Sequence, residues 1–289
     1  MAVILDYDVK VVVQGITGHQ GQYHARTMRE YGSPVVAGVT PGKEGEEVHG
    51  IPVFNTIERA MNETGANTSV FFVPAPFAKD AAFEAVDAGI RTIVLITEGI
   101  PFHDAVEIMQ YAKLGGTRVV GPNTPGIILP GRMRLGIMPE SIFRRGDVGV
   151  ASRSGTLTYE IVDGLTRAGL GQSTCVGLGG DPIVGTRFRD VLAMFERDPE
   201  TRAVVMIGEI GGTEEEDACG FIGTMKKKVY AYIAGRTAPP EKRMGHAGAI
   251  VSRGMGTAES KIRALSAAGV GVARMPWEIA RLVAADRAR

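Results

Sequence analysis

The residue best suited to take part in a reaction is His246, which lies in the segment GHAGA at residues 245–249. Small neighbours leave an imidazole open to a reacting group and let the backbone approach it closely. Glu209 follows the apolar run 203–207, so a strand is expected to carry its carboxylate to one end of a sheet. A carboxylate that holds one imidazole nitrogen leaves the other as a nucleophile. A lone histidine is structural more often than catalytic, so these two residues alone leave both interpretations open.

Two turns rich in glycine and hydroxyl groups are candidate anion sites. The first has the sequence GITGHQG at residues 15–21, and the second has the sequence SRSGTLTY at residues 152–159. Each follows an apolar run and precedes a helical pattern, so the N–H groups of a helix start would face an anion. In the second turn the phosphate-binding residues would be Ser154, Gly155 and Thr156. Glycines that serve only packing, or a simple serine N-cap, would give the same patterns.

The first turn favours CoA over NAD as a ligand. An NAD site normally has Asp or Glu at the end of the second strand, where it accepts a ribose hydroxyl. Here that strand runs into the sequence TPGK at residues 40–43, and a lysine such as Lys43 suits a phosphate. CoA carries a phosphorylated ribose and a pyrophosphate. NADP also carries a ribose phosphate, so the residues leave it open as a second ligand.

Two further strand ends are expected to reach the same crevice, because open α/β sheets bind ligands at the carboxyl ends of their strands. They have the sequences VPAP at residues 73–76 and ITEG at residues 96–99. Prolines such as Pro74 remove backbone donors and stiffen the wall of the crevice. Glu98 could accept hydrogen bonds from a ligand, although a solvated loop carboxylate is an equally good interpretation.

Strands and helices alternate along the chain, which predicts two doubly wound α/β domains with parallel sheets, the first Rossmann-like and the second flavodoxin-like. In the first half the predicted strands are residues 10–13, 35–39, 70–73, 92–96 and 118–120, and the predicted helices are 19–30, 56–64, 78–88 and 102–114. In the second half the predicted strands are 148–151, 173–177, 203–207, 230–234 and 270–273, with helices that begin near 155, 186, 214, 257 and 276. The segment GPNTPG after residue 120 predicts a domain boundary, giving domains 1–121 and 122–289.

The composition excludes several classes of function. The 289 residues include 32 basic and 32 acidic ones, so the formal net charge is zero and no basic stripe attracts nucleic acid. Apolar runs such as 70–73 and 93–96 are far shorter than the ~20 residues that span a bilayer. Cys175 and Cys219 have no CxxC spacing, which predicts neither a disulfide framework nor a metal site. Residues 1–6 lack the features of a signal peptide, so the expected location is the cytoplasm.

Taken together, these segments closely resemble the α subunit of succinyl-CoA synthetase, also called succinate–CoA ligase. The resemblance covers essentially the whole chain, and its most specific segments are GVTPGK at 38–43, VPAP at 73–76, ITEGIP at 96–101, SRSGTLTY at 152–159, GGDP at 179–182 and GHAGAI at 245–250. The resemblance implies that CoA is a substrate and that His246 is phosphorylated during turnover. With the strand ends above, the candidate CoA-binding residues are Thr17, Gly18, His19, Gln20, Lys43, Pro74, Ile96, Thr97 and Glu98.

The resemblance also implies a partner. In the family a β subunit carries the nucleotide-binding ATP-grasp domain, and Tyr159 is expected near the contact between subunits. The sequence contains no GxxxxGK[ST] loop, which agrees with ATP or GTP, together with Mg²⁺, being bound by the β subunit. In the implied reaction the nucleotide phosphorylates His246, a small dicarboxylate takes the phosphoryl group, and the CoA thiol displaces phosphate. Glu209 would orient His246.

One position departs from the family pattern, and several alternatives stay open. Thr124 stands where the family has cysteine in a Gly-Pro-Asn-Cys-Pro-Gly segment, so a thiol required for catalysis at this position is in doubt. Succinate is the expected substrate. Malate is the nearest alternative, since a site that hydrogen-bonds its hydroxyl would prefer it. An NADP-dependent oxidoreductase and a non-catalytic CoA-sensing module are alternatives from other classes.

Overall fold

The computed structural model describes residues 5, 7–239, 241–252 and 254–287. These residues form two compact units. The first unit holds Tyr7–Met138 and Ile183–Thr186, and the second holds Pro139–Pro182 and the residues from Arg187 onwards, with Leu5. The N-terminal residues that predict a cytoplasmic location lie outside the described residues, apart from Leu5.

The first unit is a doubly wound α/β sheet. Its elements are β1 (Val11–Gln14), α1 (His19–Glu30), β2 (Val35–Val39), β3 (Glu47–Val48), β4 (Ile51–Phe54), α2 (Ile57–Thr64), β5 (Thr68–Phe71), α3 (Ala78–Asp87), β6 (Thr92–Leu95), α4 (Phe102–Leu114), β7 (Arg118–Val120), β8 (Gly126–Leu129) and β9 (Met133–Gly136). The sheet has the order β3-β4-β2-β1-β5-β6-β7, with only β3 antiparallel to its neighbour. The parallel strands therefore follow the 3-2-1-4-5-6 order of a Rossmann fold, which confirms the predicted class.

Strand β1 lies at the centre of this sheet and is buried along its whole length. Val12 pairs with Ala37 of β2 on one side and with Ser69 of β5 on the other. Helices cover the sheet, and their apolar faces join one core that includes Ile57 and Ile108. The chain runs outward from β1 first to one edge and then to the other, so a crevice opens beside the carboxyl end of β1.

The first compact unit extends through the hairpin β8–β9 to Met138. The domain boundary predicted after residue 121 stays a prediction. The backbone of Arg134 in β9 exchanges two hydrogen bonds with the Ser33 hydroxyl, at 2.6 and 2.9 Å. The Tyr31 hydroxyl accepts a third, from the Gly131 N–H at 2.9 Å. Since Tyr31 and Ser33 follow α1 directly, these bonds attach the hairpin to the end of α1.

A short return segment, Ile183–Thr186, also belongs to the first unit. The Thr186 hydroxyl donates to the Val119 carbonyl at 2.6 Å, and the Gly185 N–H donates to the Gly121 carbonyl at 3.0 Å. A Cβ at position 185 would lie 2.6 Å from the side chain and carbonyl of Val119, so the segment passes directly against the end of β7. The chain therefore leaves the second unit and re-enters it within a few residues.

The second unit has the predicted flavodoxin-like topology. Its elements are β10 (Arg145–Ser152), α5 (Gly155–Arg167), β11 (Gln172–Gly177), α6 (Phe188–Arg197), β12 (Ala203–Glu209), α7 (Glu214–Ile222), β13 (Lys228–Ala234), α8 (Ala258–Ala267), β14 (Gly271–Ala273) and α9 (Glu278–Arg287). These five strands are parallel and lie in the order β14-β13-β12-β10-β11. Counted along the chain this is the 2-1-3-4-5 order of flavodoxin. Ligand sites are again expected at the carboxyl ends of the strands.

The described part of the chain contains neither a membrane-spanning helix nor a metal cluster. No helix there is both long enough and apolar enough to cross a membrane, and no group of three or more His, Cys, Asp and Glu residues there could hold a metal ion. Cys175 and Cys219 are free cysteines. Complete burial raises the pKa of the Cys175 thiol, which keeps it protonated and unreactive.

Acid is expected to weaken the first unit through His24, which stacks on Phe72 and is only partly exposed. Burial, followed by the charge of Arg134, lowers the pKa of His24 from 6.5 to about 4. As pH falls below 6.5, the unfolded chain binds a proton at His24, whereas the folded chain binds it only near pH 4. The free energy of unfolding therefore decreases between these two pH values. In His24→Gln we expect the free energy of unfolding to decrease by about 1 kcal/mol less over this pH range than in the wild type. This value allows for the solvent screening of a partly exposed side chain. Urea unfolding at several pH values measures it, and identical pH dependence of variant and wild type would contradict the assignment.

Candidate functional site

The second unit brings His246 and Glu209 into direct contact. Nδ1 of His246 lies 3.0 Å from Oε1 and 2.9 Å from Oε2 of Glu209. Glu209 ends β12 and is buried, whereas His246, in the loop after β13, keeps 26% of its side chain exposed. A carboxylate only accepts hydrogen bonds, so this contact requires a proton on Nδ1. The lone pair of the neutral ring is then on Nε2, the nitrogen suited to nucleophilic attack.

Glycines determine where the imidazole of His246 can lie. Gly245 has a φ of 79°, in the left-handed region that favours glycine. The Gly248 N–H donates to the Gly180 carbonyl at 3.0 Å, which attaches the loop to the turn after β11. A Cβ at position 180 would lie 2.4 Å from Cγ of the imidazole, so the backbone passes directly against the ring. The ring therefore occupies space that any side chain at position 180 would fill.

The predicted phosphate-binding turn lies at the same edge of the sheet as Glu209. Ser152, the last residue of β10, pairs in register with Ile207 of the adjacent strand β12. Both strands are parallel, so the residues that follow them emerge side by side at their carboxyl ends. The topology therefore brings the start of α5 and the carboxylate of Glu209 to one edge.

Helix α5 begins with a serine cap. The Ser154 hydroxyl accepts the N–H of Leu157 at 3.4 Å, so the N-cap interpretation of this serine is correct for its side chain. The N–H groups of Gly155 and Thr156 open the helix, where its dipole favours negative charge. Tyr159 lies one turn further along α5 and is half-buried. A phosphate site at Ser154–Thr156 stays a prediction that this geometry permits.

The candidate CoA-binding residues follow four strands that are adjacent in the first sheet, in the order β2-β1-β5-β6. Because the strands are parallel, their carboxyl ends meet at one edge of the sheet. Thr17, Gly18, His19 and Gln20 follow β1, Lys43 follows β2, Pro74 follows β5, and Ile96, Thr97 and Glu98 follow β6. The topology thus gathers all of them beside the crevice, and their contact with CoA stays a prediction.

The start of α1 has the features of an anion site. Its N-cap, Gly18, supplies no side-chain hydrogen bond, and the first turn contains no acidic residue. Gly15 adopts a φ of 75°, and a Cβ there would lie 2.7 Å from the Phe72 carbonyl oxygen, so only glycine fits this turn. The Thr17 hydroxyl donates to the Thr40 hydroxyl at 3.1 Å, which ties the turn to the end of β2. Thr40, which opens the TPGK segment, was not among the predicted CoA-binding residues, and its contact with Thr17 makes it a further candidate.

Lys43 lies on the surface and forms an ion pair with Glu46, with Nζ 2.9 Å from Oε1. Half of each side chain is exposed, at 50% for Lys43 and 49% for Glu46. Exposed pairs of this kind contribute little net free energy, because water and salt screen them. The lysine can therefore exchange Glu46 for a ligand phosphate at small cost.

Thr124 is buried in the turn before β8, where its hydroxyl accepts the N–H of Gly126 at 3.0 Å. A Cβ on Gly121 would lie 2.8 Å from the Cγ2 methyl of Thr124, so the two residues pack closely. The hydroxyl thus supports the turn before β8, and the prediction that this position is a steric neighbour of CoA, with no thiol required there, stays a prediction.

A buried charged cluster behind Glu209 also escaped sequence reasoning. It consists of Arg153, Glu215 and Lys261, from three separate segments. Arg153 stands inside the SRSGTLTY segment, and Glu215 stands in an acidic helix start of the kind that usually faces solvent. Only the burial and the contacts of these side chains set them apart from surface charges.

Comparison with known proteins identifies the family. A model for a CoA binding domain matches residues 6–99, and a model for a CoA-ligase domain matches residues 151–271. Succinate–CoA ligase [ADP-forming] subunit alpha 2 from Archaeoglobus fulgidus is 60% identical over 98% of this chain and 99% of its own. The corresponding alpha subunit from Aquifex aeolicus is 58% identical over 98% of this chain and 94% of its own. The chain belongs to the α-subunit family of ADP-forming succinate–CoA ligases.

A solved structure shares the fold of this ligase α subunit. ATP citrate lyase from Methanothrix soehngenii, in complex with citrate and coenzyme A, matches with a TM-score of 0.88 and 26% identity. The match covers 98% of this chain and 51% of the lyase, so the chain spans about half the length of that protein. The family and this match confirm the sequence interpretation of an acid–thiol ligase of α/β class.

Proposed function

We propose that this ligase α subunit carries the phosphohistidine of a reaction that converts succinate and CoA to succinyl-CoA, at the expense of a nucleoside triphosphate. The observation that carries the proposal is the contact of His246 Nδ1 with both oxygens of Glu209, at 3.0 and 2.9 Å. It leaves Nε2 as the nucleophilic nitrogen and provides a carboxylate to balance the charge of a phosphorylated ring. The choice of succinate as the acid comes from the names of the relatives.

The proposed reaction passes one phosphoryl group through His246. Nε2 attacks the γ-phosphorus, the bond from phosphorus to the bridging oxygen breaks, and the nucleoside diphosphate leaves with that electron pair. A carboxylate oxygen of succinate then attacks the same phosphorus, and the P–N bond returns its electrons to Nε2. Finally the CoA sulfur, having lost its proton, attacks the acyl carbon and phosphate leaves. The histidine divides one difficult transfer into easier steps.

Two groups in this chain would stabilise the phosphorylated state. Glu209 accepts a hydrogen bond from Nδ1–H, so its negative charge lies against the ring when the ring becomes cationic. The start of α5 would receive the phosphoryl oxygens, since the N–H groups of Gly155 and Thr156 belong to a helix that is formed before the reaction begins. Both effects are electrostatic and need no rearrangement during transfer.

The proposal includes a partner. The relatives are named as alpha subunits, which supports a separate β subunit for this chain. We propose that this β subunit carries an ATP-grasp domain and binds ATP or GTP with Mg²⁺, and that Tyr159 lies near the contact between the subunits. Succinate would bind at the assembled site. Such a complex would act in the cytoplasm.

The CoA site can be tested at Lys43. We expect Lys43→Ala to raise the Kd for CoA about tenfold, because a charge-assisted contact to phosphate is lost. Dephospho-CoA keeps the pyrophosphate but lacks the ribose phosphate, so its Kd should change little in the variant if Lys43 binds the ribose phosphate. Calorimetric titration measures both ligands. Lys113→Ala is the matched control, because Lys113 is an exposed lysine at the end of α4. Equal losses of affinity for the two ligands in Lys43→Ala would contradict the assignment of Lys43 to the ribose phosphate.

The proposed reaction is tested by assembling the chain with its β subunit and measuring thioester formation from CoA and ATP or GTP. Succinate and malate are compared as acids. Succinyl-CoA formation supports the proposal, while turnover of malate alone would keep the mechanism and change the substrate. Absence of thioester with either acid contradicts the assignment to succinate. Binding of NADP in place of CoA would instead favour the oxidoreductase alternative.

A further inference from the structure

A buried network of charges lies directly behind the pair formed by Glu209 and His246. Glu215, in the first turn of α7, and Lys261, in α8, are both 0% exposed. Arg153, which follows β10, is also buried. None of the three is needed for the phosphoryl transfer described above. Burying ions is costly, and such networks often stabilise a fold less than apolar packing would. The position of Glu215 and Arg153 next to Glu209 therefore calls for another explanation.

Glu215 holds the backbone of Glu209. Its Oε1 accepts the Glu209 N–H at 3.1 Å, at the end of β12. A Cβ on Gly208 would lie 2.5 Å from the same oxygen, so the glycine allows the carboxylate to approach this closely. The strand end that carries Glu209 is thus bound to the first turn of α7 by a charge-assisted hydrogen bond.

Glu215 also holds Arg153. Nη1 of Arg153 lies 3.2 Å from Oε1 of Glu215 and donates to the Gly211 carbonyl at 3.0 Å. Nη2 lies 3.8 Å from Oε1 of Glu209, outside hydrogen-bonding distance. Burial by itself would lower the pKa of Arg153, but Glu215 and Glu209 together raise it above its ordinary value. The guanidinium therefore stays charged and is engaged mainly by Glu215.

Lys261 balances the remaining charge. Its Nζ contacts Oε2 of Glu215 and lies 3.2 Å from Oε2 of Glu216 and 3.0 Å from the Gly212 carbonyl. Two cations, Arg153 and Lys261, thus face three carboxylates, those of Glu209, Glu215 and Glu216. When all five groups are ionised, the cluster has a net charge of −1. His246 contacts this cluster at the Glu209 carboxylate.

We propose that Glu215 is a positioning residue: by holding Arg153 and the backbone of Glu209, it keeps the Glu209 carboxylate directed at Nδ1 of His246. This inference rests on the proposed phosphohistidine function. Without the charge of Glu215, Arg153 would turn toward Glu209 and close the 3.8 Å gap. The carboxylate would then be shared between Arg153 and the imidazole, and the hydrogen bond to Nδ1 would weaken.

The proposal is tested with Glu215→Gln, which keeps an acceptor for the Glu209 N–H but removes the negative charge. The double variant Glu215→Gln with Lys261→Met removes one charge of each sign, so it guards against simple misfolding of the single variant. Asp217→Asn is the matched control, since Asp217 is exposed in the first turn of the same helix. Each variant is assembled with the β subunit, and thermal unfolding verifies folding.

Two readouts separate positioning from a structural role. The first is the pH titration of the His246 ring nitrogens by NMR, because loss of the Glu209 contact lowers the pKa of His246. Charged groups that act on the pair in this titration are Arg153, Glu215, Glu216 and Lys261, with Glu214 acting on Arg153. The second is the rate of phosphohistidine formation from labelled ATP or GTP, with the KM for CoA as a reference.

For the single and double Glu215 variants we expect a lower pKa of His246, phosphohistidine formation slowed about tenfold, and an unchanged KM for CoA. Asp217→Asn should match the wild type in all three. A folded double variant with the wild-type titration and phosphorylation rate would overturn the inference. If the wild-type complex itself forms no phosphohistidine, the proposed function fails, while the NMR titration still decides whether Glu215 positions Glu209.

Discussion

Replacing His246 by asparagine is expected to lower succinyl-CoA formation by the assembled enzyme by about 10⁴-fold or more, because no side chain remains to carry the phosphoryl group. Asparagine retains a polar group that can contact Glu209, so the loop should keep its fold. Thioester absorbance follows the overall reaction. Transfer of label from ATP or GTP to the α chain follows the first step, and we expect none in the variant.

His103→Asn is the matched control for this experiment. His103 is exposed in the first turn of α4, in the other unit, and makes an edge contact with Phe102. It should retain the wild-type rate and the wild-type level of label. Substantial turnover by His246→Asn, or label that persists in it, would rule out His246 as the carrier. A loss shared by both variants would point to folding or assembly instead.

Gly180→Ala is expected to reduce turnover about 100-fold at only a small cost in stability, because Gly180 lies against the ring of His246. The new Cβ would lie 2.4 Å from Cγ and 2.8 Å from Nδ1 of His246, so the ring must move. Since the ring is partly exposed, it can move toward solvent at small cost in folding free energy. A displacement of about 1 Å is enough for a rate loss of this size.

Gly164→Ala provides the comparison for this variant, because a Cβ at that position in α5 meets no atom within 4 Å. It should leave turnover unchanged and stabilise the helix by up to about 1 kcal/mol. Thermal unfolding and steady-state rates are measured on both variants. Wild-type turnover by Gly180→Ala would show that the backbone at this position does not determine the place of the ring.

The sequence predicts the framework of both units well where glycine and proline mark the ends of helices. The helices 19–30 and 102–114 agree with α1 and α4 at both ends. The predicted strand 70–73 is displaced by two residues from β5, Thr68–Phe71, because the apolar run continues through Val73, beyond the last residue paired in the sheet. Apolar character reports burial, whereas strand ends depend on pairing with neighbours.

The hairpin β8–β9 was missed because its residues follow a Pro/Gly-rich stretch that looks like a linker. Contacts with Tyr31 and Ser33, a hundred residues earlier, attach it to the end of α1, and no local pattern reveals them. The candidate site was likewise predicted only in part. The topology predicts that Glu209 and His246 can meet, because one lies at a strand end and the other in a loop at the same edge. Burial of Glu215 and Lys261 depends on how α7 and α8 pack, which no local pattern reveals.

The return segment Ile183–Thr186 has a consequence for dissecting the gene. A fragment that ends at Met138 would lack the residues whose hydrogen bonds cover the end of β7, at Val119 and Gly121. A fragment that begins at Pro139 would carry those four residues with no partner to receive them. A fragment of the first unit would therefore need the segment 183–186 attached to it to keep the end of β7 covered.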